Sequence, residues 1–161
     1  MQSIRQISPN GWFHPTVFTA FNFCIDKGMC FYWGTSEWGA WQIDSARRVA
    51  ADLKLVGPVV EQPQYNCFHR ERVEKEYDNF YKSDLGLGTT TWSPLDSGVL
   101  TGKYNNGIPD GTRLAMDDSL MKRIRSQVES EEGKIKIEKV RKMTKVAERL
   151  GCTVAQLALA W

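Results

Sequence analysis

The chain alternates between short β-branched or aromatic runs and longer stretches whose apolar residues recur three and four positions apart. Three runs read as strands: "CFYWGT" at 30–35, "PVVEQPQYN" at 58–66 and "LGLGTTTW" at 85–92. Their apolar starts, Phe31, Val59 and Leu87, are separated by a constant 28 residues. A helix fits each gap. Ile43, Ala46, Val49, Ala50 and Leu53 form one stripe, ended by Gly57-Pro58; Val73, Tyr77, Phe80 and Tyr81 form the next, ended by Gly86. The middle of the chain therefore predicts βαβαβ, with parallel neighbouring strands. Further on, Ile137, Val140, Met143, Ala147 and Leu150 mark a longer helix that Gly151 suits as a C-terminal stop. Thr153 with Gln156 then makes a capping-box pattern, and Val154, Leu157, Ala158 and Trp161 form the face that follows. Segment 96–133 has little periodicity and predicts a long loop with one short helix near Ser119 to Val128.

A regular β/α repeat leaves two architectures, an open doubly wound sheet or a (β/α)8 barrel. Both bind ligands at the C-terminal ends of their strands. The polar residues fall there: Ser36 and Glu37 after the first run, Gln62 late in the second, Trp92 and Ser93 at the end of the third.

Composition narrows the function classes. The chain has 161 residues, 42% hydrophobic and 25% charged, with a net charge of +2. That balance does not suggest nucleic acid, and no basic run is dense enough for an anionic membrane surface. Lys134 to Arg149 carries Glu138 and Glu148 among its cations and reads as a solvated helix face. Cys24, Cys30, Cys67 and Cys152 fit no zinc spacing and predict free thiols in a reducing compartment. His14 and His69 lie far apart, with no Cys or Glu at ligand spacing, so no metal site is expected. Pro9, Gly11 and Pro15 interrupt the N-terminal region where a signal sequence would need a continuous apolar run. No apolar stretch approaches the ~18 residues of a membrane span. The expectation is a cytoplasmic protein, or one held at a membrane through a partner.

The stretch "TWSPLDSGVLTGKYNNG", 91–107, carries the candidate chemistry. Gly98, Gly102 and Gly107 let backbone N–H groups approach a ligand, and Lys103, with Arg113 beyond, favours an anion. It is not a Walker A loop: "GVLTGKY" is one residue short before Gly-Lys, and Tyr104 stands where Ser or Thr would hold magnesium. No GxGxxG follows a strand either. The residues leave two readings open, an anion-binding loop or a flexible surface loop with a solvated lysine. Trp92 is either a core aromatic or a flat surface for a heteroaromatic ring. Gln62 and Ser36 could satisfy neighbouring backbone or engage an amide ligand such as a nicotinamide carboxamide. No catalytic constellation can be argued from spacing, and nothing places Tyr65 beside Lys103 as an acid pair.

Taken in order, "FYWGTSEW", "VVEQPQYNCFHRERVE", "TTWSPLDSGVLTGKYNNGIPDGTR" and "AERLGCTVAQLALAW" resemble the aldo-keto reductase superfamily, and within it the potassium-channel β-subunit branch in its plant-like form. The resemblance covers residues 21–161; residues 1–20 are atypical. It implies an α/β fold, part of a (β/α)8 TIM barrel comprising about strands five to seven with their helices, that binds NADP(H) without a Rossmann fold. By motif, Ser36 and Gln62 would bond the nicotinamide carboxamide and Trp92 would stack on its ring. Ser93, Pro94, Leu95, Asp96 and Ser97 would run along the cofactor, with Lys103 and Arg113 near its phosphates. The resemblance also implies a potassium-channel α-subunit as partner through its cytosolic domain, a homo-tetramer, and regulation of channel activity. NADPH-dependent reduction of an aldehyde or ketone is the alternative function, and an inactive truncated product is a third.

The sequence departs from the pattern at three positions. Asp96 stands where the family has a small alanine, and a carboxylate beside a pyrophosphate is unfavourable unless it points away. Glu37 stands where animal relatives have arginine, although plant-like relatives share the glutamate. Gly39 replaces a serine at an expected helix N-cap. The family's catalytic Asp, Tyr, Lys and His come from its first four strands, so no catalytic residue is expected in this chain. A partial barrel leaves strand edges unpaired, and the expectation is that the isolated chain associates or is poorly soluble.

Overall fold

The computed structural model describes residues 15–82 and 86–161. They form two compact units: a sheet unit from the chain up to Pro63 together with Glu71–Trp92, and a helical unit from Gln64–Arg70 with Ser93–Trp161.

In the sheet unit, β1 (Gly34–Ser36), β2 (Val60–Gln62) and β3 (Gly88–Thr89) lie side by side in that order. All are parallel, with Thr35 opposite Glu61 and Glu61 opposite Thr89. The βαβαβ expectation holds, but the strands are far shorter than the runs that predicted them. Pro58 and Pro63 bracket β2 and neither has an N–H to give the ladder. Beyond β3, Thr90 N and Trp92 N still donate to the carbonyls of Glu61 and Pro63, both at 3.0 Å, so extended chain runs on to the tryptophan. Gly34 is required by close approach: a Cβ there would sit 2.3 Å from Val60 Cγ1.

Two helical pieces cover the sheet. Helix α2 (Ala40–Asp52) buries Ile43, Ala46, Val49 and Ala50, the stripe read from the sequence. Gly39 is its N-cap and has no side chain to offer; Gln42 Oε1 from the helix's own first turn takes the Gly39 N–H and distant Glu76 Oε1 takes the Ala40 N–H, both at 2.7 Å. The second stripe departs from a plain α-helix. Arg72–Glu76 winds as a π-turn, in which Tyr77 N reaches back to Arg72 O at 2.9 Å, before α3 (Asp78–Lys82) resumes. The wide turn serves two tertiary bonds, Glu76 on the α2 terminus and the buried Tyr77 hydroxyl donating to the Trp38 carbonyl.

One helix was not anticipated. Helix α1 is described over Pro15–Asp26, across a proline that the sequence presents as an interruption. It buries Phe18 and Asn22, and Asn22 clasps the Val56 backbone through Nδ2 to Val56 O (3.0 Å) and Val56 N to Oδ1 (2.8 Å). The expected boundary between residues 20 and 21 falls inside this helix; residues 1–14 lie outside the described residues.

The helical unit contains α4 (Ser119–Glu129), α5 (Glu131–Arg149) and α6 (Val154–Ala160). Two short 3-10 turns, Asp96–Thr101 and Arg113–Ala115, precede them. So 96–133 is less loop-like than its pattern suggests, because the tight turns bury Val99, Leu100 and Leu114 without helical periodicity. Asp118 and Ser130 cap α4 and α5 by accepting Met121 N (2.9 Å) and Gly133 N (3.2 Å). Helix α5 ends as predicted: Gly151 has φ +69°, Cys152 N bonds Ala147 O (3.1 Å) and Gly151 N bonds Glu148 O (3.2 Å), a Schellman stop. The Thr153–Gln156 capping box opens α6. Val99, Leu100, Tyr104, Leu114, Val140 and Val154 belong to one apolar core. Leu150, the last apolar position of the pattern that marks this helix, is its C-cap and is exposed.

Candidate functional site

In the sheet unit the site residues stand at the C-terminal ends of the strands. Parallel register sets Ser36 beside Gln62. Ser36 Oγ donates to the Gln62 backbone carbonyl at 2.9 Å, so its oxygen can still accept. The Gln62 side chain is exposed and carries no hydrogen bond among the described residues, leaving both ends of its carboxamide to a ligand. Trp92 is tied by its backbone to Pro63, and its indole Nε1–H donates to Glu37 Oε1 at 2.8 Å. The ring remains 41% exposed. It is not a core aromatic, and its polar edge is fixed while much of its surface stays open.

Beneath these residues lies a polar layer that pattern reading missed. Glu61, at the centre of β2, is fully buried. Its carboxyl group accepts from Thr35 Oγ1 and from Trp38 N (3.0 Å). The Tyr77 hydroxyl closes the arrangement on Trp38 O, and burial, with the Glu61 charge nearby, pushes the phenol well above its ordinary range. This layer fixes the end of β1, with Ser36, and the turn after it, with Glu37. Glu37 takes φ +61°, a costly backbone for a residue with a side chain. Arg72 steadies it, donating from Nη1 to the Glu37 carbonyl at 2.9 Å and standing 3.9 Å from the Glu37 carboxylate. The alternation of Val60, Glu61 and Gln62 signals only that Glu61 faces opposite to its neighbours; which face is covered depends on α2 and α3.

In the helical unit, Ser93 to Ser97 form a strained turn. Ser93, Asp96 and Ser97 have φ of +53°, +46° and +56°, followed by Gly98 at +95°. The amides of Asp96, Ser97 and Gly98 are spent inside the turn, on Ser93 O (3.0 Å), Ser93 Oγ (3.2 Å) and Leu95 O (2.9 Å). Buried Asn66 holds the turn from below, donating from Nδ2 to Ser93 O at 3.0 Å. Pro94 is exposed and Leu95 packs on the helical core. Asp96 points toward Lys136 of α5, forming an ion pair at 3.0 Å. The two line a cavity of about 300 Å³ with Ser97, Val99, Gln127 and Gly133. The departure at Asp96 is therefore paired with a cation forty residues away in sequence. Lys103 and Arg113 are exposed and neither has an ion pair among the described residues; Lys103 Nζ lies 5.0 Å over the Tyr104 ring. The three amides are therefore not open to a ligand, whereas the Lys103 and Arg113 side chains are exposed.

The remaining candidates stay outside this chemistry. Cys67 is pushed up by burial and its thiol donates to Ala158 O, which suits a packing residue rather than a nucleophile. Among the described residues, no three of His, Cys, Asp and Glu gather as a metal site, and no helix is long and apolar enough to cross a membrane.

The sequence profile of the Aldo/keto reductase family matches residues 9–161. The chain belongs to the aldo-keto reductase family. The three parallel strands, each followed by helix or turn, are the repeat of that family's (β/α)8 barrel, of which this chain holds part. Among curated relatives, it is 51% identical over 143 residues to the Arabidopsis thaliana protein named "Probable voltage-gated potassium channel subunit beta" and 52% identical over 143 residues to the protein of that name from Oryza sativa. Each alignment covers 88% of this chain and 42% of the relative. The chain thus spans about two fifths of the length of these aldo-keto reductase-like relatives.

Proposed function

We propose that this chain forms the NADP(H)-binding part of an aldo-keto reductase-like potassium-channel β-subunit, with residues 21–161 as the cofactor-binding portion. The observation that carries this reading is the row of Ser36, Gln62 and Trp92 at the ends of neighbouring strands, with the Gln62 carboxamide unspent among the described residues and the Trp92 ring partly exposed. A nicotinamide offers a flat ring and a carboxamide, which are the complements of those groups. Ser36 and Gln62 would hold the carboxamide and Trp92 the ring. Ser93, Pro94, Leu95, Asp96 and Ser97 would line the cofactor's path, and the unpaired cations Lys103 and Arg113 would meet its phosphates. Such a cofactor supplies hydride chemistry when bound; the residues here bind and orient it, and none of them is assigned a proton-transfer role.

The relatives' names, voltage-gated potassium channel β-subunits, support a channel-associated setting; within it we read the chain as part of a cytoplasmic, tetrameric subunit that docks on the cytosolic domain of a potassium-channel α-subunit and regulates the channel. Isothermal titration with NADPH tests the binding. The wild-type chain is expected to bind saturably, and Trp92→Ala to lose about tenfold in affinity, the scale of one aromatic stacking contact. Equal affinity in the two would remove Trp92 from the site and with it the reading.

A further inference from the structure

Helix α5 spends one side on the core and leaves the other with a pattern of its own. Inward, Gly133, Ile137, Val140 and Ala147 are buried. On the opposite side Ile135, Lys139, Lys142, Val146 and Arg149 recur four, three, four and three residues apart, the spacing of a seam between two helices. Val146 is half-buried and the other four are exposed, Ile135 at 59%. None of the three cations forms an ion pair among the described residues. Glu138 and Glu148 border the seam. Glu138 is engaged by Arg141 at 3.2 Å, and Glu148 has no ion pair among the described residues.

The chemistry of the seam selects its occupant. A second copy of α5 would set cation against cation. An anionic membrane holds a helix by a broad apolar face, and α5 has turned its apolar face into the core. A helix carrying carboxylates at the same alternation of three and four meets every cation of the row, with apolar residues left to cover Ile135 and Val146. We propose that the outward side of α5 docks an acidic helix of a partner protein. The three cations set which partner is accepted and in which register, and Ile135 and Val146 supply the apolar contact. The proposal is independent of the cofactor reading, because the seam lies on the face of α5 opposite its buried residues and uses none of the residues assigned to the cofactor.

The test uses the full chain and two fluorescein-labelled helical peptides of identical composition. In one, glutamates recur four and three apart between leucines; in the other they are spread around the helix. Fluorescence anisotropy should show the wild-type chain binding the first about tenfold more tightly, with an affinity that falls in high salt. Neutralising the row in the combined variant Lys139→Gln, Lys142→Gln, Arg149→Gln should cost about tenfold, the scale of three exposed charge pairs, whereas Lys139→Arg with Lys142→Arg should bind as the wild type does. In the wild-type chain alone, 1H–15N shifts on adding the first peptide should gather between Ile135 and Arg149. Equal affinity for the two peptides, or a neutralised row that binds as well as the wild type, overturns the proposal. Shifts that fall outside α5 overturn it without recourse to any variant. So does a wild-type chain that ignores both peptides and sediments with phosphatidylserine vesicles, which would make the seam a lipid surface.

Discussion

At the centre of the sheet unit's middle strand sits a fully buried glutamate, whereas the centre of the helical unit holds Leu100, Leu114 and Val140 with no charged side chain among its buried residues. The sheet unit divides its apolar residues into two clusters, Phe18 with Trp33, Ala46, Val49 and Ala50, and Ile43 with Tyr77, Phe80 and Leu87. The polar bonds of Glu61, Thr35, Trp38 and Tyr77 lie in the same unit. The helical unit gains its order from one continuous apolar core and well-capped helices. On the proposed reading, the contrast tracks what each would present to a cofactor. A flat ring and a carboxamide need side chains set at defined angles, and directional hydrogen bonds fix angles better than apolar contact does. Phosphates need cations within reach, and Lys103 and Arg113 can be carried on turns anchored by Val99, Leu100 and Leu114 beneath them.

The contrast can be broken in each unit by its own kind of substitution. Leu100→Ala empties a fully buried position of the helical core and should cost about 3 kcal/mol, read as lost hydrogen-exchange protection in α5 and α6. Glu61→Ala should cost about 2 kcal/mol, because the Thr35 hydroxyl and Trp38 N–H lose their partner in a buried setting. Its loss of protection should centre on β1, with Ser36, and on the turn after it, with Glu37. If Glu61→Ala is silent there, the polar layer does not hold the site.

Tyr77→Phe is a smaller perturbation, about 1 kcal/mol at neutral pH for the single bond to Trp38 O. It also has a pH signature. The folded-state phenol titrates above its ordinary value near 10, so the neutral form is favoured by folding. That stability is fully present below pH ~10 and is lost as pH rises from there toward the folded value. A urea series across that alkaline range should show the wild type losing more stability than Tyr77→Phe.

The smallest effect belongs to the pair of Asp96 with Lys136. Lys136→Ala should cost less than about 1 kcal/mol in a melt, since the lysine is half exposed. It should nevertheless weaken NADPH binding about threefold by leaving the Asp96 carboxylate unpaired near the proposed path of the cofactor. Asp96→Ala in the same chain should restore the affinity. Failure of that rescue would mean that the pair serves packing alone.

Much of this was legible in the sequence where one physical rule acted alone. The βαβαβ order, the stripe from Ile43 to Ala50, the Gly151 stop and the Thr153–Gln156 box all depend on periodicity or local capping, and each appears where expected, although the strands start at Gly34, Val60 and Gly88 rather than at a constant step. The strands are shorter than their runs because Pro58 and Pro63, which have no N–H to give, limit pairing on either side of Val60–Gln62. The π-turn at Arg72–Glu76 answers to bonds with Trp38 and α2, which no local pattern records. The roles of Glu61, Asn66 and Lys136 were invisible for the same reason: each acts on residues 23 to 40 positions away. Exposed Phe31, at 88%, with Met29, Tyr32 and Trp41, gives a concrete basis for the expected association of the chain, which sedimentation velocity would show as mass above one copy.

The central claim is that the nicotinamide end of a cofactor lies on Ser36, Gln62 and Trp92. A 1H–15N spectrum followed through an NADPH titration tests it most directly. The account predicts that the Trp92 indole and Gln62 side-chain amide resonances move together, saturating at one concentration, while Trp33 Nε1, hydrogen-bonded to Val56 O at 2.8 Å, stays in place. Shifts confined to Lys103, Arg113 and their neighbours, with the Trp92 and Gln62 signals unmoved, would contradict it and reduce the site to an anion-binding turn.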